Sequence, residues 1–167
     1  GGNGVPFGVE RTNLKFFPSE YHSQAPLAMA LELRAQVRVE DIEAIDIQTY
    51  WTAYSEIGSE PEKWTPMTRE TADHSLPYIV TAVLIDRAFS DEIFSDEHLR
   101  DPRIRELIDK VECKADAELT KRFPQRMPCR IEITLKNGER KVAETDYPRG
   151  HDKNPMTDDE LSTKFRT

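Results

Sequence analysis

Two short segments of this chain repeat one pattern. His22-Ser23-Gln24-Ala25-Pro26 and His74-Ser75-Leu76-Pro77-Tyr78 each set a His and a Ser, then a Pro two or three residues on, ahead of an apolar stretch. Ser is a favoured helix cap and Pro is accommodated in a first helical turn. Each segment therefore reads as a helix start with a His just upstream, where backbone N–H groups lack partners. Such an N-terminus beside an imidazole attracts a carboxylate or a phosphate. Ordinary capping with surface histidines fits the same spacing, so His22, Ser23, His74 and Ser75 enter with both readings open.

Lys15 lies seven residues before His22, and Pro18 bends the segment between them. The two cations can then face one pocket with Glu20 nearby, although a lone Lys is most often a solvated charge. Tyr78 opens the most apolar stretch, so its ring is expected to be buried and its hydroxyl to need a partner. Arg149 is a further cation, with an exposed surface role as its alternative. Trp51, Tyr54 and Trp64 read as core or interface aromatics. His98 and His151 lack spaced partners, no pair of histidines has helical metal-ligand spacing, and no metal or cofactor is expected.

The elements that must position these groups follow from periodicity. Leu27, Leu31 and Ala35 form one row and Ala30, Leu33 and Val37 the next, which predicts a helix over Ala25 to Val37. Leu76, Ile79, Val80, Val83 and Leu84 predict a second, more buried helix reaching Ala88. Asp101-Pro102 opens a short helix through Asp109, and Ala117 to Phe123 reads as another. Alternation predicts strands at Ile45 to Thr49, at Val111 to Cys113, and at Cys129 to Leu135. Asn137-Gly138 then predicts a type I′ turn with Glu139 to Thr145 as the returning strand. Ser55 to Arg69 shows no period and reads as a long loop or short helical turns. About four strands and three main helices predict an α+β, two-layer sandwich with helices on one face of a mainly antiparallel sheet.

Composition bounds the function. The chain has 167 residues, 37% of them apolar, and a formal charge of −8, so it can form one modest core and offers no general affinity for nucleic acid. The longest apolar run, Ile79 to Ile85 with one Thr, is far short of the roughly 20 residues that cross a bilayer. Two cysteines suit a reducing compartment, the cytoplasm or the mitochondrial matrix. Residues 1–6, with Gly1-Gly2-Asn3-Gly4, read as a linker or cloning scar, and 7–153 as one domain. Thr157 and Glu160 have capping-box spacing, so 154–167 reads as the start of a helix that must dock or continue.

Several of these segments, in order, carry a resemblance: Leu14-Lys15-Phe16-Phe17-Pro18-Ser19-Glu20-Tyr21-His22-Ser23-Gln24, the Ala-rich helix after it, Asp73 to Tyr78, Leu135-Lys136-Asn137-Gly138, Tyr147-Pro148-Arg149-Gly150-His151 and Asn154-Pro155-Met156-Thr157. From about Phe7 onward the chain resembles the C-terminal domain of the MmgE/PrpD family, most of all its 2-methylcitrate dehydratase branch. The resemblance implies a lid-like domain closing over a larger helical domain of the same enzyme, without metal or cofactor. It also implies a small polycarboxylate substrate and a homodimeric full enzyme. In that family a Lys before the Phe-Pro pair, a His after the Pro, and a Tyr from a His-Ser-x-x-Tyr segment line the cleft, which implies catalytic roles for Lys15, His22 and Tyr78. Lys15, Ser23, His74, Ser75 and Arg149 are the implied substrate-binding set. The decarboxylases carry their His two residues after the Pro, where this chain has Glu20, so dehydration is the expected reaction, with decarboxylation or epimerisation as alternatives. A non-catalytic binding or assembly domain is the rival from another class. Dehydrating a hydroxy-tricarboxylate needs a base, an acid for the departing hydroxyl, and cations for the carboxylates. The implied helical domain supplies the remaining groups, so the chain alone is expected to be inactive.

Overall fold

The computed structural model describes residues 13–166. The reading of residues 1–6 as a linker lies outside them. Four strands form one sheet in the order β2-β1-β3-β4, with β1 at Ile42–Thr49, β2 at Val111–Ala115, β3 at Cys129–Leu135 and β4 at Arg140–Thr145. The β1–β3 and β3–β4 pairs are antiparallel, with Ile47 opposite Ile131 and Ile131 opposite Ala143. β2 instead runs parallel to β1, Ile47 facing Cys113. The sheet is thus mixed and mostly antiparallel, with helices packed against it.

Alternation decides which face is covered. Ile45, Ile47, Ile131, Ile133 and Ala143 point into the core, while Asp46, Gln48, Lys114, Arg130 and Glu132 stand on the other face. That outer face is laced with ion pairs, Lys114–Asp46 at 2.6 Å and Arg140–Glu132 at 3.2 Å among them. The hairpin departs from its expected turn. Among the described residues Gly138 has positive φ and Asn137 does not, and the Gly138 N–H donates to the Leu135 carbonyl at 2.8 Å. That is a bulged loop with Gly at the left-handed position, not a type I′ turn.

Helix α1, Gln24–Arg34, lies over β3 and β4 and beside α4, Leu76–Asp86. Every residue of α4 from Leu76 to Leu84 is buried, as a helix apolar on all sides requires. α4 stops before the expected Ala88 because Arg87 adopts φ 61°, its N–H returning to the Val83 carbonyl. Between β1 and α4 stand two helices that periodicity did not announce, α2 at Trp51–Ile57 and α3 at Arg69–Asp73. α2 takes part of the expected loop because Ala53 and Ile57, one turn apart, are both buried. After α4 come α5 at Asp96–Leu99, α6 at Pro102–Ile108 and α7 at Ala117–Arg122. α8 spans Asp158–Arg166, and its capping box is formed, with the Glu160 N–H on Thr157 Oγ1 at 3.3 Å and the Thr157 N–H on Glu160 Oε2 at 2.7 Å. Arg149 pairs with Glu160, and Lys164 Nζ donates to the Phe16 carbonyl at 3.1 Å, so this helix docks on the domain. Among the described residues no helix is long and apolar enough to cross a membrane.

Candidate active site

The segment from Phe17 to Gln24 is held by its own side chains. Gln24 is buried and uses both ends of its amide. Its Oε1 accepts the Phe17 N–H at 2.9 Å, and its Nε2 donates to the Phe17, Ser19 and Glu20 carbonyls at 2.9, 3.3 and 3.3 Å. The Glu20 carboxylate accepts the N–H groups of His22 at 2.6 Å and Ser23 at 3.2 Å. Ser23 Oγ donates to the Glu20 carbonyl at 2.7 Å. This corrects the expectation that Ser23 caps α1. Ser23 already has helical backbone angles and makes no cap bond: its hydroxyl is turned to the Glu20 carbonyl, and Pro26, at the third helical position, has no N–H to offer.

This scaffold turns the imidazole of His22 towards two other elements. Only 13% of that side chain is exposed, and each ring nitrogen has a partner from a distant element. Nε2 lies 3.2 Å from Glu56 Oε2 on α2. Nδ1 forms a short hydrogen bond with the hydroxyl of Tyr50, the residue between β1 and α2. A carboxylate only accepts, so Nε2 carries a hydrogen, and in the neutral ring Nδ1 accepts from the Tyr50 hydroxyl. Tyr50 is fixed by burial and by stacking on Phe123, with ring centroids 4.6 Å apart and planes 9° from parallel. Burial first, then the nearby Glu20 carboxylate, pushes its hydroxyl well above the ordinary tyrosine range, so it stays protonated. An imidazole held between a carboxylate and a phenol is oriented for proton transfer or for binding an anion.

The two His-Ser segments meet through a neighbouring chain of hydroxyls. Ser23 Oγ lies 2.8 Å from Ser19 Oγ, which donates to Asp73 Oδ1 at 3.0 Å. Asp73 precedes His74, whose Nδ1 is 3.1 Å from the Glu70 carbonyl and whose side chain is about half exposed. Ser75 does cap α4, accepting the Tyr78 N–H at 3.2 Å, and its hydroxyl also bonds the Lys63 carbonyl. It is fully buried. Tyr78 is buried too, and its hydroxyl donates to the Ile93 carbonyl; burial raises it above the ordinary range. Its ring lines a cavity of about 410 Å³ with Trp64, Met67 and Leu99, which none of Lys15, His22, His74 and Arg149 lines. Arg149 is drawn inward to Glu160 and to Asn154 Oδ1 at 3.0 Å, beside a second cavity of about 390 Å³ under Phe16, Phe17 and Met29. Lys15 is exposed, with no hydrogen bond or ion pair among the described residues. Ser23 is thus linked through Ser19 to Asp73 at the end of α3, while His22 faces Tyr50 and Glu56, and the hydroxyl of Tyr78 and the guanidinium of Arg149 are directed elsewhere. Tyr50 and Glu56 were missed. Their only local signals were a Tyr at the end of a strand and an acid in a stretch without period.

Comparison with known proteins places this fold in a class. Residues 17–167 match the MmgE/PrpD C-terminal domain, and the chain belongs to that family. It is 31% identical over 146 residues to the mitochondrial 2-methylcitrate dehydratase of Yarrowia lipolytica, covering 81% of this chain and 27% of that protein. The 2-methylcitrate dehydratase of Escherichia coli K12 is 28% identical over 145 residues, 81% of this chain and 29% of that one. Human cis-aconitate decarboxylase is 31% identical over 101 residues, 60% of this chain and 21% of its own length. The chain therefore spans between a fifth and three tenths of these relatives.

Proposed function

We propose that this chain is the lid-like domain of a hydro-lyase that dehydrates 2-methylcitrate or a similar polycarboxylate, completed by a helical domain and working in the cytoplasm or mitochondrial matrix. The observation that carries the reading is His22, clamped by Glu20 and Gln24 and aimed between Tyr50 and Glu56. In dehydration a base removes the hydrogen alpha to a carboxylate, the electrons of that C–H bond form the double bond, and the C–O bond breaks to release water. His22 suits delivery of the proton to the departing hydroxyl, and exposed Lys15 suits a substrate carboxylate. The base and the remaining cations come from the helical domain, so the chain alone turns nothing over.

Two similarities at 81% coverage to methylcitrate dehydratases support dehydration. Similarity to a decarboxylase keeps that reaction as the second reading, opposed by Glu20 at the position where the resemblance puts the decarboxylase His. The test is formation of the unsaturated product from 2-methylcitrate and citrate, followed by absorbance, for this chain with and without the helical domain. Turnover restricted to the mixture, with loss on His22→Ala or Lys15→Ala, supports the proposal. Carbon dioxide release from cis-aconitate supports decarboxylation, and turnover indifferent to both substitutions supports the non-catalytic domain.

A further inference from the structure

We propose that Glu20, His22 and Glu56 form a binding site for one divalent transition-metal ion of the zinc class. One ligand-competent atom from each side chain lies within 4.8 Å of the others, although Glu20 and Glu56 are 36 residues apart in sequence. Two carboxylates converge here, and neither is paired with a Lys or Arg among the described residues. Like charges gathered without a counter-ion repel, and a dication at their centre reverses the sign of that interaction.

The donor types fit, and so does the spacing of one ligand pair. Two ligands ~2.0 to 2.1 Å from an ion at a tetrahedral angle lie ~3.3 Å apart, and His22 Nε2 and Glu56 Oε2 are 3.2 Å apart. One imidazole and two carboxylates make a three-ligand set that leaves a fourth position for water. Exposed Glu56 forms the open side through which an ion enters. The supporting shell exists as well. The Tyr50 hydroxyl holds Nδ1, and the backbone N–H groups of His22 and Ser23 hold Glu20 Oε2. On loading, the Nε2 lone pair faces the ion, so the ring hydrogen moves to Nδ1 and is donated to the Tyr50 oxygen, with no net change in protons. The bound ion takes Nε2, the ring nitrogen that Tyr50 does not hold and the one from which His22 can deliver a proton, so loading opposes the proposed turnover.

The test titrates Co2+ and then Zn2+ into the full chain and reads visible absorption and binding heat, without substrate. Its failure therefore leaves the dehydratase reading untouched. The expected result is one Co2+ per chain with the absorption of a low-coordinate site, displaced by Zn2+. Glu56→Gln is expected to weaken binding at least ~10-fold, and Glu118→Gln, an exposed carboxylate paired with Lys121, to leave it unchanged. Glu20→Gln is the second variant, and circular dichroism confirms the fold of each. Absence of stoichiometric binding overturns the site, as does binding by folded Glu56→Gln and Glu20→Gln proteins equal to that of the parent.

Discussion

Ser19 donates to Asp73 at 3.0 Å across 54 residues of chain. Through Ser23 on one side and His74 on the other, this bond joins the two His-Ser segments that stand apart in sequence. It also sets the direction of the helices. α1 and α4 begin together at this bond, and Arg34 and Arg87, near their other ends, are close enough to repel. The pair runs side by side in one direction, with the Ser19–Asp73 end nearest His22.

A double-mutant cycle measures that tie. Ser19→Ala and Asp73→Ala each lose one charge-assisted hydrogen bond, and each is expected to cost about 1 to 2 kcal/mol in urea unfolding. The double variant is expected to cost less than the sum, because either substitution already breaks the same bond. Strict additivity would show that the two residues do not act on each other.

Gln24 is the residue on which the Phe17–Glu20 segment hangs. Gln24→Leu keeps the volume but strips partners from one buried N–H and several carbonyls, and unmet buried groups of this kind cost ~1 to 3 kcal/mol each. A loss of about 2 to 4 kcal/mol is expected in chemical denaturation, while an exposed substitution such as Gln36→Leu stays within ~0.5 kcal/mol. Equal stabilities for Gln24→Leu and parent would remove Gln24 from this role.

The docking of α8 is expected to depend on acid. The Arg149 guanidinium, with the Thr157 N–H, lowers the Glu160 carboxyl from its ordinary 4.5 to about 2. A depressed folded-state value means that the carboxylate stabilises the docked helix above pH 4.5 and loses that contribution as pH falls from 4.5 towards 2. NMR shifts of α8 amides are expected to move towards undocked values within that window. Glu160→Gln should show part of the change already at pH 6, and α8 shifts that stay constant down to pH 2 would contradict the pairing.

Much of the fold was legible because its signals are local. The rows of α1 and α4, the alternation of β3 and the capping box of α8 depend on residues a few positions apart, and each element formed, although α1 ends at Arg34, short of the expected Val37, and α4 at Asp86. Misreadings came where a second partner competes. Ser23 has the residue type of a cap, but its hydroxyl is drawn to the Glu20 carbonyl and Pro26 offers it no N–H. Asn137-Gly138 has the composition of a type I′ turn, yet its register makes Gly138 the bulge. Alternation in Val111 to Cys113 announces a strand without saying which neighbour it joins or in which direction. The surroundings of His22 were hidden for the same reason, since Tyr50 and Glu56 reach it only once β1 and α2 are in place.

Tyr50→Phe separates a positioning role from a structural one. Phe keeps the stacking on Phe123 and the buried volume, and removes only the hydroxyl that holds His22 Nδ1. The stability cost is therefore expected to be modest, about 1 to 2 kcal/mol for one unmet partner. Turnover by the assembled enzyme is expected to fall by roughly 10-fold or more, because a general acid works only when its proton is aimed at the departing oxygen. The fall should lie in kcat rather than KM, since Tyr50 is buried behind the imidazole. Phe123→Leu provides the contrast. It weakens the packing of Tyr50 but leaves the hydroxyl on His22, so it should cost stability with a smaller effect on kcat. If Tyr50→Phe loses stability while kcat is unchanged at a temperature where it is folded, Tyr50 is a core residue that happens to touch His22.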